Sequence, residues 1–141
     1  MTTWKLVALL LVALAGAHLS VADEQSEPQR WVVYPGGQGP GAGKHIVLIS
    51  GDEEYRSEEA LPMLAKILSV RHGFKCTVLF SQDRESAEIN PDERGYIPGL
   101  EALDTADLMV LMTRFRRLPD EDMKHIVDFV EAGKPLIGLR T

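Results

Sequence analysis

A short apolar segment that runs directly into charged residues is the feature that most limits the folds open to this chain. Residues 45–50 have the pattern of a strand that is buried on both faces, because the apolar run is too short for a helix and Gly51 bounds it. In parallel α/β sheets, ligands bind in the crevice beyond the carboxyl ends of the strands. We therefore expect such a crevice to hold the charged run that follows, which is Asp52, Glu53, Glu54, Tyr55 and Arg56.

Strand and helix patterns alternate along the rest of the chain. Further strands are predicted over residues 74–80, 107–113 and 136–139, with a long connection over 81–98 and a helical turn over 100–105. A first helix is predicted over residues 59–72, its start limited by Pro62, and Pro119 begins a second helix. The predicted buried faces are Leu61, Leu64, Ala65 and Leu68 in the first helix, and Met123, Ile126, Val127 and Val130 in the second.

This alternation predicts an α/β fold with parallel strands and crossover helices. Sheets of this type usually have five or more strands with helices on both faces. The last predicted strand is followed only by Arg140 and Thr141. We therefore expect a fold that is incomplete at its carboxyl end, with residues 45–141 forming the amino-terminal part of a larger domain.

The first 22 residues predict a cleaved secretory signal. Lys5 supplies a positive charge, residues 6–19 form an apolar core of about 14 residues, and Ser20-Val21-Ala22 provides small residues for cleavage. The apolar core is shorter than the ~20 residues of a membrane-spanning helix. The mature protein is therefore expected to be secreted or periplasmic, with residues 23–44 as a polar, Gly-rich leader that contains a candidate edge strand at 31–34.

Charge argues against two classes of partner. Removal of residues 1–22 takes away Lys5 and no acidic residue, so the 15 Lys and Arg residues become 14 against 21 Asp and Glu, and the net charge changes from −6 to −7. Nucleic acids and anionic membranes require a basic surface, which this composition does not provide. We expect no nucleic-acid partner and no membrane association after signal cleavage.

The carboxyl ends of the predicted strands collect carboxylates and arginines. Asp52 and Glu53 follow the first strand, and Arg114 and Arg116 follow the third. A carboxylate beside arginines stays ionised and accepts hydrogen bonds, while guanidinium groups bind carboxylate, phosphate or hydroxyl oxygens. The same residues could instead form a structural ion-pair network that closes the loops over the sheet.

Metal and thiol chemistry are not expected. Adjacent carboxylates rarely face one point, and His45, His72 and His125 lie at no metal-ligand spacing. Cys76, the one cysteine, lies in the middle of a predicted strand, whereas a reactive thiol requires an exposed turn or a helix amino terminus. No metal, no cofactor and no catalytic residue is assigned.

Four segments carry a resemblance to a known family. They are residues 43–62 (GKHIVLISGDEEYRSEEALP), 97–110 (IPGLEALDTADLMV), 113–116 (TRFR) and 133–141 (GKPLIGLRT). In these runs the chain resembles the ThuA-like, or trehalose-utilisation, family, and in particular exported ThuA-like proteins of environmental bacteria. The resemblance implies a flavodoxin-like three-layer fold, as in class I glutamine amidotransferases, and a link to carbohydrate metabolism.

Two departures from that family affect the expected chemistry. Many relatives have a Tyr-His pair after the first strand, where this chain has Tyr55-Arg56. In such relatives, the residues that match Arg140-Thr141 continue into a turn with another His, at the place where amidotransferases have their nucleophilic Cys. Both histidines that the family would use are therefore missing from this sequence.

Three functional interpretations remain open. The first is an exported domain that binds or processes a sugar or polyol; its candidate binding residues are Asp52, Glu53, Tyr55, Arg56, Arg114, Arg116 and Arg140. The second is a non-catalytic accessory domain or an inactive fragment. The third is a thiol-dependent amidotransferase or hydrolase, which the position of Cys76 disfavours.

Overall fold

In the described residues, five strands form one mixed sheet in the order β1-β3-β2-β4-β5. The computed structural model describes residues 29–139, so the predicted signal segment and Arg140 lie outside the described residues. The strands are β1 (Val32–Tyr34), β2 (His45–Gly51), β3 (Lys75–Phe80), β4 (Leu108–Thr113) and β5 (Leu136–Gly138). The helices are α1 (Ser57–His72), α2 (Asp120–Glu131) and a 3₁₀-helix (Leu100–Thr105).

Strands β2 to β5 pair in parallel, as the alternating pattern predicts. The edge strand β1 is the exception: it pairs antiparallel with β3, with Val33 opposite Thr77. The expectation of a purely parallel sheet is therefore corrected to a mixed sheet. Because β1 runs the other way, the residues that precede it lie at the carboxyl ends of the parallel strands.

Strand β2 is buried along its whole length because it has a neighbour on each side and a layer on each face. Ile46 and Leu48 belong to the cluster formed with α1, whereas Val47 and Ile49 belong to the cluster that contains the 3₁₀-helix and Phe129 of α2. The side chains alternate between the two layers with the two-residue period of a strand. The core is thus divided by the sheet, with helices on both faces.

Helix α1 begins at Ser57, earlier than predicted. Arg56 precedes it in the left-handed region, with φ of 52°, and Pro62 lies inside the helix. The prediction placed the start later because an interior proline removes a backbone hydrogen bond. The helix tolerates Pro62 because the missing backbone hydrogen bond is the one to the carbonyl of residue 58, next to the start of the helix. Leu61 and Ala65, on either side of the proline, are fully buried.

The buried face of α2 differs from the predicted one. Phe129 is the buried residue of this helix, and Ile126 packs against the same cluster, whereas Val127 and Val130 are exposed. An aromatic ring removes more apolar area from water than a valine does, so the helix is oriented to bury the ring. The apolar periodicity does not weight residues by size, so it included Ile126 correctly but selected Val127 and Val130 in place of Phe129.

Because His45 is buried, the stability of the protein should depend on pH. It is buried at the start of β2, its Nε2 lies 2.9 Å from Thr77 Oγ1, and its backbone N–H donates to Asp107 at 2.8 Å. Burial, and then the charge of Lys75, lowers the pKa of His45 below 6.5. The unfolded state therefore takes up a proton first, so the free energy of unfolding is expected to fall as the pH drops below that value.

Urea unfolding at about pH 7.5 and about pH 5.5 measures this effect. Uptake of one proton can change the free energy of unfolding by at most about 1.4 kcal/mol per pH unit. The variant His45→Gln lacks the titrating group and is expected to lose less stability between the two pH values. The pKa of Asp107 is also lowered, mainly by its bond from the His45 N–H, and its contribution is lost only at more acidic pH. Equal losses in both proteins would contradict the prediction.

Candidate functional site

The turn after β2 is built around a buried carboxylate. Asp52 has no exposed surface, and its Oδ1 accepts backbone N–H groups from Glu54 at 2.9 Å and Tyr55 at 2.6 Å. Its Oδ2 is also buried but has no hydrogen-bond partner. One oxygen of the carboxylate thus holds the turn, which we call the acidic turn (residues 52–56). The other has no donor among residues 29–139.

Two buried serines fix this turn to the helix that follows. The Ser57 hydroxyl accepts the Asp52 N–H at 2.9 Å and lies 2.9 Å from the Ser50 hydroxyl. The sequence reasoning missed both serines. The local pattern gave no signal for them, because Ser57 does not cap α1, whose N-cap is Arg56 without a side-chain bond, and its hydroxyl bonds to Asp52 instead.

Arg116 is almost fully committed to protein groups. Its side chain is 7% exposed and lies 4.0 Å from Glu53 Oε2. The guanidinium donates to the carbonyl oxygens of Arg114, Pro91 and Glu93 and to the hydroxyl of Ser81. Burial is the main cause that lowers the pKa of Arg116, and Glu53 opposes it. Arg116 therefore anchors the long connection over residues 81–98 and positions Glu53.

Arg114 occupies the rim of the same site. Its Nε lies 3.6 Å from Glu53 Oε1, its Nη1 bonds to Glu54, and its side chain is 28% exposed. The guanidinium also lies 4.7 Å from the centre of the Phe115 ring, and Phe115 has a left-handed φ of 54°. Unlike Arg116, Arg114 is within reach of a molecule in solvent.

The remaining predicted site residues are less enclosed. Tyr55 lies in the acidic turn and is 50% exposed. The Arg56 side chain is 71% exposed and pairs with Glu59 one turn along α1. Arg140 lies outside the described residues. The structure therefore brings together Asp52, Glu53, Arg114 and Arg116, leaves Tyr55 beside them, and pairs Arg56 with the helix.

This arrangement suits hydrogen bonding more than thiol or metal chemistry. Cys76 is fully buried in β3, and burial raises its pKa to about 11, which keeps the thiol protonated at neutral pH. Among residues 29–139, no group of three His, Cys, Asp or Glu side chains could hold a metal ion. What the site offers is a buried carboxylate oxygen without a partner in the acidic turn and a partly exposed guanidinium that pairs with Glu53 and Glu54 of the same turn.

The comparisons with known proteins do not identify this arrangement. No family model, no curated protein and no solved structure matched the chain. In the part of the chain that the structure describes, neither helix has the length and apolar composition to cross a bilayer. What supports a function is therefore the geometry of this site and the sequence runs around it.

Proposed function

We propose that the protein is an exported ThuA-like domain linked to carbohydrate metabolism, and that it binds a sugar or polyol at the carboxyl edge of its sheet. A mixed, mainly parallel sheet with helices on both faces is consistent with the flavodoxin-like fold of that family. Support for the family comes from the sequence runs around the acidic turn and after β4. No catalytic residue is assigned, so the proposal concerns binding.

The unpartnered Oδ2 of Asp52 is the observation that carries this proposal. Leaving a buried carboxylate oxygen without a donor costs free energy, whereas a bond from a neutral hydroxyl to a charged acceptor is worth about 1.5–3 kcal/mol. A sugar hydroxyl is a donor of this kind. Because Oδ2 is buried, access requires movement of the rim, where Arg114 pairs with Glu53 and with the 54%-exposed Glu54.

The neighbouring groups suit a molecule with several hydroxyls. Arg114 can donate to ring or hydroxyl oxygens, and Glu53 can accept from a second hydroxyl. Tyr55 adds a half-exposed aromatic ring, which provides an apolar face next to the polar groups. We assign Asp52, Glu53, Arg114 and Tyr55 to binding, and Arg116 to holding Glu53 and the long connection in place.

Titration of sugars into single variants tests the proposal. We expect Asp52→Asn, which keeps the acceptor of the turn bonds but removes the charge, and Arg114→Ala each to weaken binding by about tenfold or more. The measurement is isothermal titration calorimetry with a panel of disaccharides, including trehalose, and polyols. Circular dichroism of each variant checks that the fold is retained.

Arg71→Ala is the matched control, since Arg71 is an exposed arginine in the last turn of α1, at the other end of that helix. It should leave the affinity unchanged. If a sugar binds and both site variants bind it as the unmodified protein does, the carboxylates and arginines belong to a structural network only. If no member of the panel binds, the sugar proposal is wrong.

A further inference from the structure

The outward face of α1 is apolar where a surface helix is normally polar. Met63, Ile67 and Val70 are all exposed, and they recur at the i, i+4 and i+7 spacing of one helical stripe, which we call the α1 stripe. The opposite face of the helix packs against the sheet through Leu61 and Ala65. A helix that is apolar on both faces is normally covered on both, and a contiguous exposed apolar surface marks an interaction site.

Basic residues flank this stripe. Lys66, Ile67, Val70 and Arg71 line a groove of about 230 Å³ on the surface of the helix. The sequence contains no Asp or Glu from residue 60 to residue 82, and the acidic residues of α1 lie in its first turn. The charges that α1 brings to the groove are therefore positive, although the whole chain has a net charge of −6.

The groove has the form that receives a second helix. Residues 63, 67 and 71 form one ridge along α1 with a spacing of four, and residues 66 and 70 form the next ridge. In the commonest class of helix packing, a groove between two such ridges receives a ridge of the same spacing from the partner helix. A partner that fits this groove carries apolar residues for its floor and acidic residues for Lys66 and Arg71.

The outward face of α2 has this composition. Val127 and Val130 are exposed and form what we call the α2 stripe. Glu131, which is also exposed, follows Val127 on the same ridge with a spacing of four. The helix contains five acidic residues and one lysine, Lys124, which pairs with Asp128 in the same helix. The α2 surface is thus apolar and acidic, whereas the α1 surface is apolar and basic.

Helices α1 and α2 lie on opposite faces of the sheet, so these two surfaces cannot meet within one molecule. We propose that the α1 stripe of one copy of this protein binds the α2 stripe of a second copy. The valines of α2 cover Ile67 and Val70, and the acidic residues of α2 face Lys66 and Arg71. Because the two surfaces differ, the contact is heterologous, and copies add head to tail. The contact does not involve the proposed sugar site at the carboxyl edge of the sheet.

Analytical ultracentrifugation of the purified protein tests the proposal. We expect the mean mass to rise with concentration between about 10 µM and about 1 mM, the range for a small interface, without a plateau at the dimer. An increase of the salt concentration from about 0.05 M to about 0.5 M should weaken the association, because the charges that meet are exposed in the free protein.

Two variants separate a head-to-tail contact from a contact between like surfaces. Ile67→Glu disrupts the α1 stripe and Val127→Gln disrupts the α2 stripe, and each should weaken association by about tenfold or more. An equimolar mixture of the two variants should form a 1:1 dimer that does not extend. This dimer forms because the first variant keeps its α2 stripe and the second keeps its α1 stripe.

Ile89→Glu is the matched control, because Ile89 in the long connection is 49% exposed, as Ile67 is. It should associate as the unmodified protein does, and circular dichroism checks that all three variants keep the fold. Unchanged sugar titrations in Ile67→Glu would show that association and sugar binding are independent.

Three results would overturn the inference. The first is an unmodified protein that stays monomeric at about 1 mM, which would mean that something other than a second copy covers the α1 stripe. The second is undiminished association of either stripe variant alone, since a contact between like surfaces needs only one of the stripes. The third is a mixture of the two variants that stays monomeric or that grows beyond the dimer.

Discussion

Arg116→Met is expected to destabilise the protein by about 3–5 kcal/mol, the range for breaking a buried charged network by removing one partner. Methionine keeps most of the volume of the arginine stem but none of its donors. The carbonyl oxygens of Pro91 and Glu93 and the Ser81 hydroxyl would lose their bonds from a guanidinium whose side chain is 7% exposed. Urea unfolding gives the change in the free energy of unfolding.

Arg117→Met is the matched control, because Arg117 is the exposed neighbour and interacts through its backbone N–H, which donates to the Arg94 carbonyl. It should change stability by less than about 0.5 kcal/mol. Hydrogen exchange adds a local readout: amides of residues 92–95 should lose protection in Arg116→Met only. A loss as small as that of the Arg117 variant would mean that the long connection holds itself in place.

Leu48→Ala is expected to cost about 3–5 kcal/mol, the upper part of the range for buried leucines. Leu48 has no exposed surface, lies in the central strand, and is opposite Val78 on one side and Val110 on the other. Both neighbouring strands and α1 would have to move to fill the space left by the side chain. Thermal and urea unfolding measure the loss.

A leucine-to-alanine substitution at an exposed strand position separates the effect of burial on stability from the effect of strand propensity. Leu136→Ala in β5 changes the same residue type, but Leu136 is 44% exposed on the edge of the sheet, so we expect a loss below about 1 kcal/mol. Comparable losses at the two positions would contradict the assignment of β2 as the centre of the core. An unchanged m-value in both variants checks that unfolding remains two-state.

The strands and their parallel pairing could be predicted because apolar runs bounded by glycine and charged residues are a strong local signal. The direction of β1 could not, since a three-residue strand contains no information about its partner. The face of α2 was predicted only in part, because Ile126 packs against the core but Val127 and Val130 are exposed. Periodicity counts apolar residues, whereas packing favours the largest one, and Phe129 fills the space below the 3₁₀-helix.

The candidate site was predictable only in its outline. Asp52, Glu53, Arg114 and Arg116 follow strands that turned out to be neighbours, so their convergence followed from the predicted topology. The distinct roles of Arg114 and Arg116 did not follow from the topology. Arg116 is held largely by backbone carbonyl oxygens, and these acceptors are identical in every residue, so the side-chain sequence does not reveal which arginine they bind.

The strand order also has a consequence for how the chain reaches this fold. The segments β2-α1-β3 and β4-α2-β5 are each formed by strands that follow one another along the chain, and within the sheet the two halves join where β2 pairs with β4. Contacts between residues distant in sequence close large loops and slow the search for the native state. We expect that pairing to form late and to set the folding rate, since β2 and β4 each have one edge without a partner until the two halves meet.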